Sequence, residues 1–256
     1  MTDTHLVDFF QRSRSDKKLT VIEGAQALKH AVRFNAEIQH YITCDIHSLE
    51  KLLEELAKDV KTGVLEKVQE VDEQTFAKLS KRPHRTKVMA IAKRRDWHTT
   101  DIADEKPVIF LEEPKDLENI GAVIRVAAAA DAGAVVISGN IDIWHPAVIR
   151  GAAGLHWAIP VFDGCHPEFI SGSNEENVEI PDPVRNDRQL IALDPNGKDI
   201  NKATIPTNSI LIFGTERYGI SKTLLSKSDQ IVRLPMKKGV SSLNLATSVA
   251  ATLYKM

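Results

Sequence analysis

The chain is poor in several features that would narrow its function at once. It has two cysteines, Cys44 and Cys165, in 256 residues. They lie far apart without metal-ligand spacing, which argues against a disulfide framework and against a zinc site, so no metal is expected. No apolar run approaches the ~20 residues that cross a bilayer, so no membrane association is expected. The opening MTDTHLVDFFQRSRSD breaks its few apolar residues with charge and has no continuous apolar core; no targeting segment is expected, and the cytoplasm is the expected location. No internal repeat is visible. The net charge of −2 names no partner of either sign.

What remains is the composition of an ordinary globular protein, 43% hydrophobic and 27% charged, on a chain longer than the ~150 residues of an average domain. Two domains are therefore expected. The charge is unevenly spread, +3 over residues 1–100 and −5 over the remainder. Between Lys78 and Arg95 there are eight basic residues and no acid, a local cationic patch.

The first half alternates helical spacing with short apolar runs at 19–22, 38–43, 64–71 and 87–93, which predicts a small α/β sandwich. Its clearest helix is 48–60, with Leu49, Leu52, Leu53, Leu56 and Val60 on one face. Residues 94–106 read as a polar linker. The second half carries continuous apolar runs at 107–111, 134–138, 189–193, 209–213 and 231–235. Such runs suit strands covered on both faces, so a mostly parallel sheet is expected. Residues 166–188, with three prolines, several acids and no helical period, read as a long polar loop.

Three polar segments follow expected strands, and ligands in open α/β sheets gather at strand carboxyl ends. In ENIGAVIRVAAAADAG (118–133), Asn119 and Gly121 sit where a strand-to-helix turn exposes backbone N–H groups, with Arg125 a turn further on. Alone, the same pattern also describes a helix capped by Asn119 with a solvated Arg125, and it lacks the G-x-G-x-x-G of dinucleotide sites. In GTERYGIS (214–221), Gly214 permits close backbone approach, Glu216 places an acid at the strand end, and Gly219 allows a tight turn before Ser221 caps a helix. In LPMKKGVSSLNLATSVAATLYK (234–255), Ser241 or Ser242 is expected to cap the last helix. Capping by either leaves Asn244 unexplained inside its first turn.

In this order, the three segments closely resemble the motifs of the SpoU/TrmH branch of the SPOUT RNA methyltransferases, N-[IP]-G-A-[IV]-[IV]-R, F-G-x-E-x-x-G-[IL]-S and [IL]-P-M-x-x-x-x-x-S-L-N-[VL]. The resemblance covers about residues 107–256. More weakly, residues 1–96 resemble the L30e-like RNA-binding domain of many members, and the basic run is similar to that of the thiostrepton-resistance methyltransferase group. The resemblance implies an α/β fold: a C-terminal domain at 107–256 with a mostly parallel sheet and a deep trefoil knot, a smaller L30e-like sandwich at 1–96, and a linker at 97–106. It implies S-adenosyl-L-methionine as cofactor, a homodimer, and methyl transfer to a ribose 2′-hydroxyl of RNA.

Carried over position by position, it implies cofactor contacts at Leu193, Gly214, Glu216, Leu234, Met236 and Leu243, and catalytic positions at Asn119, Arg125, Glu216, Ser242 and Asn244. The RNA contacts expected are Arg82, Arg85 and Lys87 in the basic run, and Arg150. The family often shows R-x-S-x-G after the first motif, whereas here Arg150 is followed by Gly151, Ala152, Ala153 and Gly154, without the serine hydroxyl. In the family a separate N-terminal domain accompanies ribosomal targets more often than the minimal knotted fold does, which favours ribosomal over transfer RNA, and a basic patch with few aromatics suits structured RNA read through phosphate and shape. The other readings are a transfer RNA 2′-O-methyltransferase and a non-catalytic RNA-binding or assembly factor. Retention of all five catalytic positions argues against the latter.

Overall fold

In a computed structural model, the residues described are 3–54, 58–79, 87–164, 180–215, 218–240 and 242–256. In chain order the elements are α1 (Asp3–Ser13), β1 (Leu19–Glu23), α2 (Ala25–Arg33), β2 (Ile38–Thr43), α3 (Ile46–Leu53), α4 (Lys58–Leu65), β3 (Val68–Glu70), α5 (Glu73–Leu79), β4 (Val88–Lys93), β5 (Val108–Leu111), α6 (Leu117–Ala129) and β6 (Ala134–Ile137). They continue with α7 (Pro146–Gly151), β7 (Val161–Asp163), α8 (Asp182–Arg185), β8 (Leu190–Asp199), β9 (Ile210–Phe213), α9 (Lys222–Lys227), β10 (Gln230–Arg233) and α10 (Leu245–Leu253). Two compact units result: residues 1–96 with 144–158, and residues 97–143 with 159–256. Among the described residues no helix is long and apolar enough to cross a membrane.

The first unit is a four-stranded sheet in the order β1-β4-β2-β3, antiparallel except for the parallel pair β2 and β3. Val21, Met89 and Ile91 form one core with Leu6 and Phe10 of α1 and Phe76 and Leu79 of α5. Strand alternation turns Ile22 and Ala90 to the other face, where α2 packs with Ala25, Ala27, Leu28 and Ala31 buried. Burial on both faces explains why β4 reads as the unbroken apolar run VMAIA. The run 64–71 is not one strand: Val64 and Leu65 end α4, and only Val68–Glu70 pairs with β2. The helix expected over 48–60 is likewise divided, α3 ending at Leu53 and α4 starting at Lys58.

Residues 144–158 belong to this first unit although both flanks belong to the second, a correction to the expected division at 1–96, 97–106 and 107–256. The Thr20 hydroxyl donates to the Trp144 carbonyl at 2.8 Å, and the Arg95 guanidinium to that of Trp157 at 2.9 Å. His30 Nδ1 is 2.8 Å from the Ala153 carbonyl oxygen. Val148, Ile149, Ala152 and His156 are fully buried. Gly154 has φ +76°, and a Cβ there would lie 2.1 Å from the Ala27 carbonyl oxygen, so no other residue fits.

The second unit is a six-stranded sheet in the order β10-β8-β9-β5-β6-β7, every pair parallel. It has one strand more than the five apolar runs, because β7 is only three residues long. Val108, Phe110, Val136, Ile210 and Ile212 build one face of its core together with Trp97 and Ile102. The stretch expected to be a polar linker is therefore packed into this unit by Trp97 and Ile102. Ile180, Val184 and Arg188 are buried as well. The end of the expected loop 166–188 is thus a one-turn helix with an inward face, while 165–179 lies outside the described residues. On the opposite face α6 packs on β6 and against α10.

Candidate active site

The carboxyl ends of β8, β9 and β10 are neighbours in the sheet, and the chain leaving them surrounds a cavity of about 720 Å³. β8 and β10 run in register to Ala192 and Ile231, then β8 loops out and rejoins at Lys198 opposite Val232. The excursion supplies Leu193, Asp194, Pro195 and Asn196 to the cavity wall. Gly197 closes it: a Cβ there would lie 2.6 Å from the Ile231 carbonyl carbon. The Asp194 carboxylate accepts from the Asn196 N–H at 2.8 Å and from its amide nitrogen at 3.0 Å, which fixes the turn. The end of β9 contributes Phe213 and Gly214, and the end of β10 contributes Arg233, Leu234 and Met236.

The first and third motifs meet here. Asn244 Nδ2 donates to Asn119 Oδ1 at 2.9 Å across 125 positions of sequence. Neither asparagine sits as expected. α6 starts at Leu117 with Asp116 as its N-cap, accepting from the N–H groups of Glu118 and Asn119, so Asn119 is inside the first turn and caps nothing. α10 is capped by Asn244 itself, whose Oδ1 accepts from Ala246 and Thr247. The expected cap at Ser242 is corrected accordingly, and Ser241 lies outside the described residues. Asn244 thus spends its oxygen on the helix and its nitrogen on the partner asparagine, and its rotamer is fixed from both ends.

The second motif is pinned across Thr215 and Gly219, with 216 and 217 outside the described residues. Thr215 and Gly219 exchange backbone hydrogen bonds at 3.1 and 3.0 Å, so a Cβ on Gly214 would fall 2.1 Å from the Gly219 carbonyl carbon. Ser221 caps α9, accepting from Leu224 N–H. Its own N–H donates at 2.8 Å to Glu112 Oε2, a carboxylate 5% exposed just past the end of β5. Glu112 was not anticipated. Glu216, expected both as a catalytic and as a cofactor position, lies outside the described residues.

Leu193, Gly214, Leu234, Met236 and Leu243 all line the cavity, as do Ser242 and Asn244. Arg125 does not. Six residues beyond Asn119 it leaves α6 about 120° away around the helix, exposed and without a hydrogen bond or ion pair among the described residues. Wall residues that sequence reading missed are Asp194, Asn196, Phe213, Thr215, Tyr218 and Arg233; the turn signature D-P-N-G after an apolar run was the available signal for the first two.

Of the expected RNA contacts, Arg82 and Arg85 lie outside the described residues. Lys87 donates at 2.6 Å to Glu73, whose carboxylate raises the pKa of the ammonium. Arg150 lies 3.3 Å from Glu23, a carboxylate only 4% exposed that Arg14 also holds at 2.6 Å. Among the described residues no group of three or more His, Cys, Asp or Glu is placed to hold a metal ion.

Residues 106–254 match the model of the SpoU rRNA Methylase family. The chain belongs to that family. It is 22% identical over 247 residues to the 23S rRNA (guanosine(2553)-2′-O)-methyltransferase RlmP of Bacillus subtilis, covering 96% of this chain and 91% of that protein. It is 26% identical over 257 residues to the 23S rRNA (adenosine(1067)-2′-O)-methyltransferase of Streptomyces azureus, covering 98% and 90%. Its fold is similar to that of the SpoU methyltransferase AviRb of Streptomyces viridochromogenes in complex with AdoMet, with a TM-score of 0.74 at 19% identity, covering 96% of this chain and 95% of that one.

Proposed function

We propose that this family member transfers a methyl group from S-adenosylmethionine to a ribose 2′-hydroxyl of ribosomal RNA, of the 23S type. The observation that carries the reading is the cavity at three adjacent strand ends, which gathers five of the six expected cofactor positions beside the Asn119–Asn244 pair. Its volume falls in the range of small-molecule sites, and a wall that mixes Leu, Phe and Met with polar side chains such as Asp194, Asn196 and Arg233 suits a nucleoside carrying a charged sulfonium arm. The names of the two relatives, both acting on 23S rRNA, support the choice of RNA.

When bound, S-adenosylmethionine supplies an electrophilic methyl group on a sulfonium. Backbone and apolar side chains at Leu193, Gly214, Leu234, Met236 and Leu243 would hold it, and the doubly fixed Asn244 gives the pocket a rigid polar edge. The task left to the protein is to align the hydroxyl and balance its developing charge. Arg125 is a poor base, since its guanidinium stays protonated far above neutral pH. Its exposed charge suits holding a phosphate beside the target ribose and stabilising the incipient alkoxide.

The reading includes a homodimer with a composite site. It is supported by the departure of Arg125 from the side of α6 that carries Asn119, and by the exposed Tyr254 and Met256 past the end of α10, 73% and 38% accessible, which offer apolar surface to a second copy. The experiment is methyl transfer from labelled S-adenosylmethionine to an unmodified 23S rRNA transcript, followed by mass spectrometry of the nuclease digest. One ribose methyl is expected. A methyl on a base nitrogen, or none with a folded and cofactor-binding protein, would overturn the reading.

A further inference from the structure

Two turns border the cavity, and the chemistry above gives no role to the Lys237, Lys238 and Tyr218 side chains that they carry. The chain leaves the cavity lining at Met236 and rejoins it at Ser242. Between them Val240 N–H donates to the Lys237 carbonyl at 3.0 Å, with Gly239 at φ +93°, a tight turn that presents Lys237 and Lys238 at its corner. The second is the Thr215–Gly219 turn, with Gly219 at φ +69° and Tyr218 80% exposed. A Cβ built on Gly239 or on Gly219 would meet nothing within 4 Å, so each turn is open to its surroundings at its glycine.

Their chemistry is complementary. Lys237 and Lys238 are exposed and pair with no carboxylate among the described residues. Two lysines of the basic run are different: Lys87 is paired with Glu73 and Lys93 with Glu37. Tyr218 is a large exposed aromatic in a chain with only 5% aromatic residues. One turn carries point charges for phosphate oxygens and the other a flat face for a base, the two surfaces that a nucleotide presents.

We propose that these turns form the RNA-docking lip of the site: Lys237 and Lys238 hold backbone phosphates next to the target nucleotide, and Tyr218 stacks on a base. The inference rests on the RNA-methylating reading and names the residues that receive its substrate.

The test uses the full-length protein and an unmodified 23S rRNA transcript, with retention of the transcript on filters measured beside methyl transfer. Lys237→Glu with Lys238→Glu should weaken binding about tenfold or more at near-physiological salt, and lower the slope of log affinity against log salt by roughly one to two. S-adenosylmethionine affinity by calorimetry and Tm should not change. Tyr218→Ala should raise KM, and Tyr218→Trp should restore it. Unchanged RNA affinity and salt slope in the lysine variant, or equal behaviour of Tyr218→Ala and wild type, would overturn the lip. So would conversion of the lysine variant to a different oligomeric state, which would give this surface to a second copy of the chain. If the wild-type protein binds the transcript but transfers no methyl group, the functional reading fails while the binding arms still decide the lip.

Discussion

The segment 144–158 and helix α6 each carry an arginine that sequence patterns single out, and the structure treats the two in opposite ways. Arg150 is tied to a buried carboxylate that a second arginine already neutralises. Arg125 stands exposed, with no partner among the described residues. A guanidinium placed against a buried acid is committed to the fold, because withdrawing it leaves a charge in a poor dielectric. One left in water remains available to a polyanion. The same division runs through two glycines: Gly154 and Gly214 would each bring a Cβ to 2.1 Å of backbone, one inside the first unit's packing and the other in the wall of the cavity.

The variant expected to have the largest effect is Gly214→Val. Its side chain cannot coexist with the Thr215–Gly219 turn, so S-adenosylmethionine binding by calorimetry should be lost, whereas Gly154→Ala should lower Tm first. Retained cofactor affinity in Gly214→Val would break the comparison on the cavity side. Next comes Arg125→Lys, which keeps the charge but loses the planar fork; kcat should fall about 10²- to 10³-fold with cofactor affinity unchanged. A loss of Tm instead would move Arg125 to the structural class.

Arg150→Ala should do the reverse. Glu23 keeps Arg14, and the Arg150 side chain is 33% exposed, so the loss should be about 1–2 kcal/mol, less than for a fully buried pair. That corresponds to a Tm lower by about 2–8 °C, with RNA affinity unaltered. Weakened RNA binding at constant Tm would reverse its assignment.

The smallest effect concerns pH. Asp45 and Asp72 are held below the usual carboxylate range by the N–H and hydroxyl groups of Ser48 and of Thr75. The folded pKa values lie below the unfolded ones. Their contribution is therefore complete above about pH 4 and is lost as pH falls through the lower folded values. Acid titration should loosen the α3 and α5 ends of the first unit, and Asp45→Asn should flatten that part of the profile; an unchanged profile would show that these caps carry no pH-dependent stability.

Much of this architecture was legible because buried parallel strands must be continuously apolar: β5, β6, β8 and β9 each begin inside a run that could be read directly, and β10 begins one residue before its run. The three motifs were legible for a related reason, since each follows a strand end and combines small with polar residues. The misreadings have local causes. Asp116 and Asn119 are both good cap residues three positions apart, and nothing in the sequence around them says which one opens the helix. Val64 and Leu65 suit a strand as well as a helix end. The destination of residues 144–158 is set by the space over β1 and α2, which no local pattern encodes, and the Asn119–Asn244 contact likewise exists only once α6 and α10 have packed.

The crossing of residues 144–158 into the first unit also sets a schedule for synthesis. The first unit cannot be completed when residue 96 has been made; it waits for Trp157, and β5, α6 and β6 are made meanwhile. At elongation rates of about 5–20 residues/s that interval is roughly 3–12 s, during which the β1 and α2 surface lacks its cover. A nascent chain halted between residues 100 and 143 should therefore be protease-sensitive in its first hundred residues, and one extended past 158 and clear of the ribosome should not. The same dependence means that cutting the chain at residue 106 would not release a self-sufficient catalytic half, because the fragment would carry Val148, Ile149 and Trp157 without the surface that buries them.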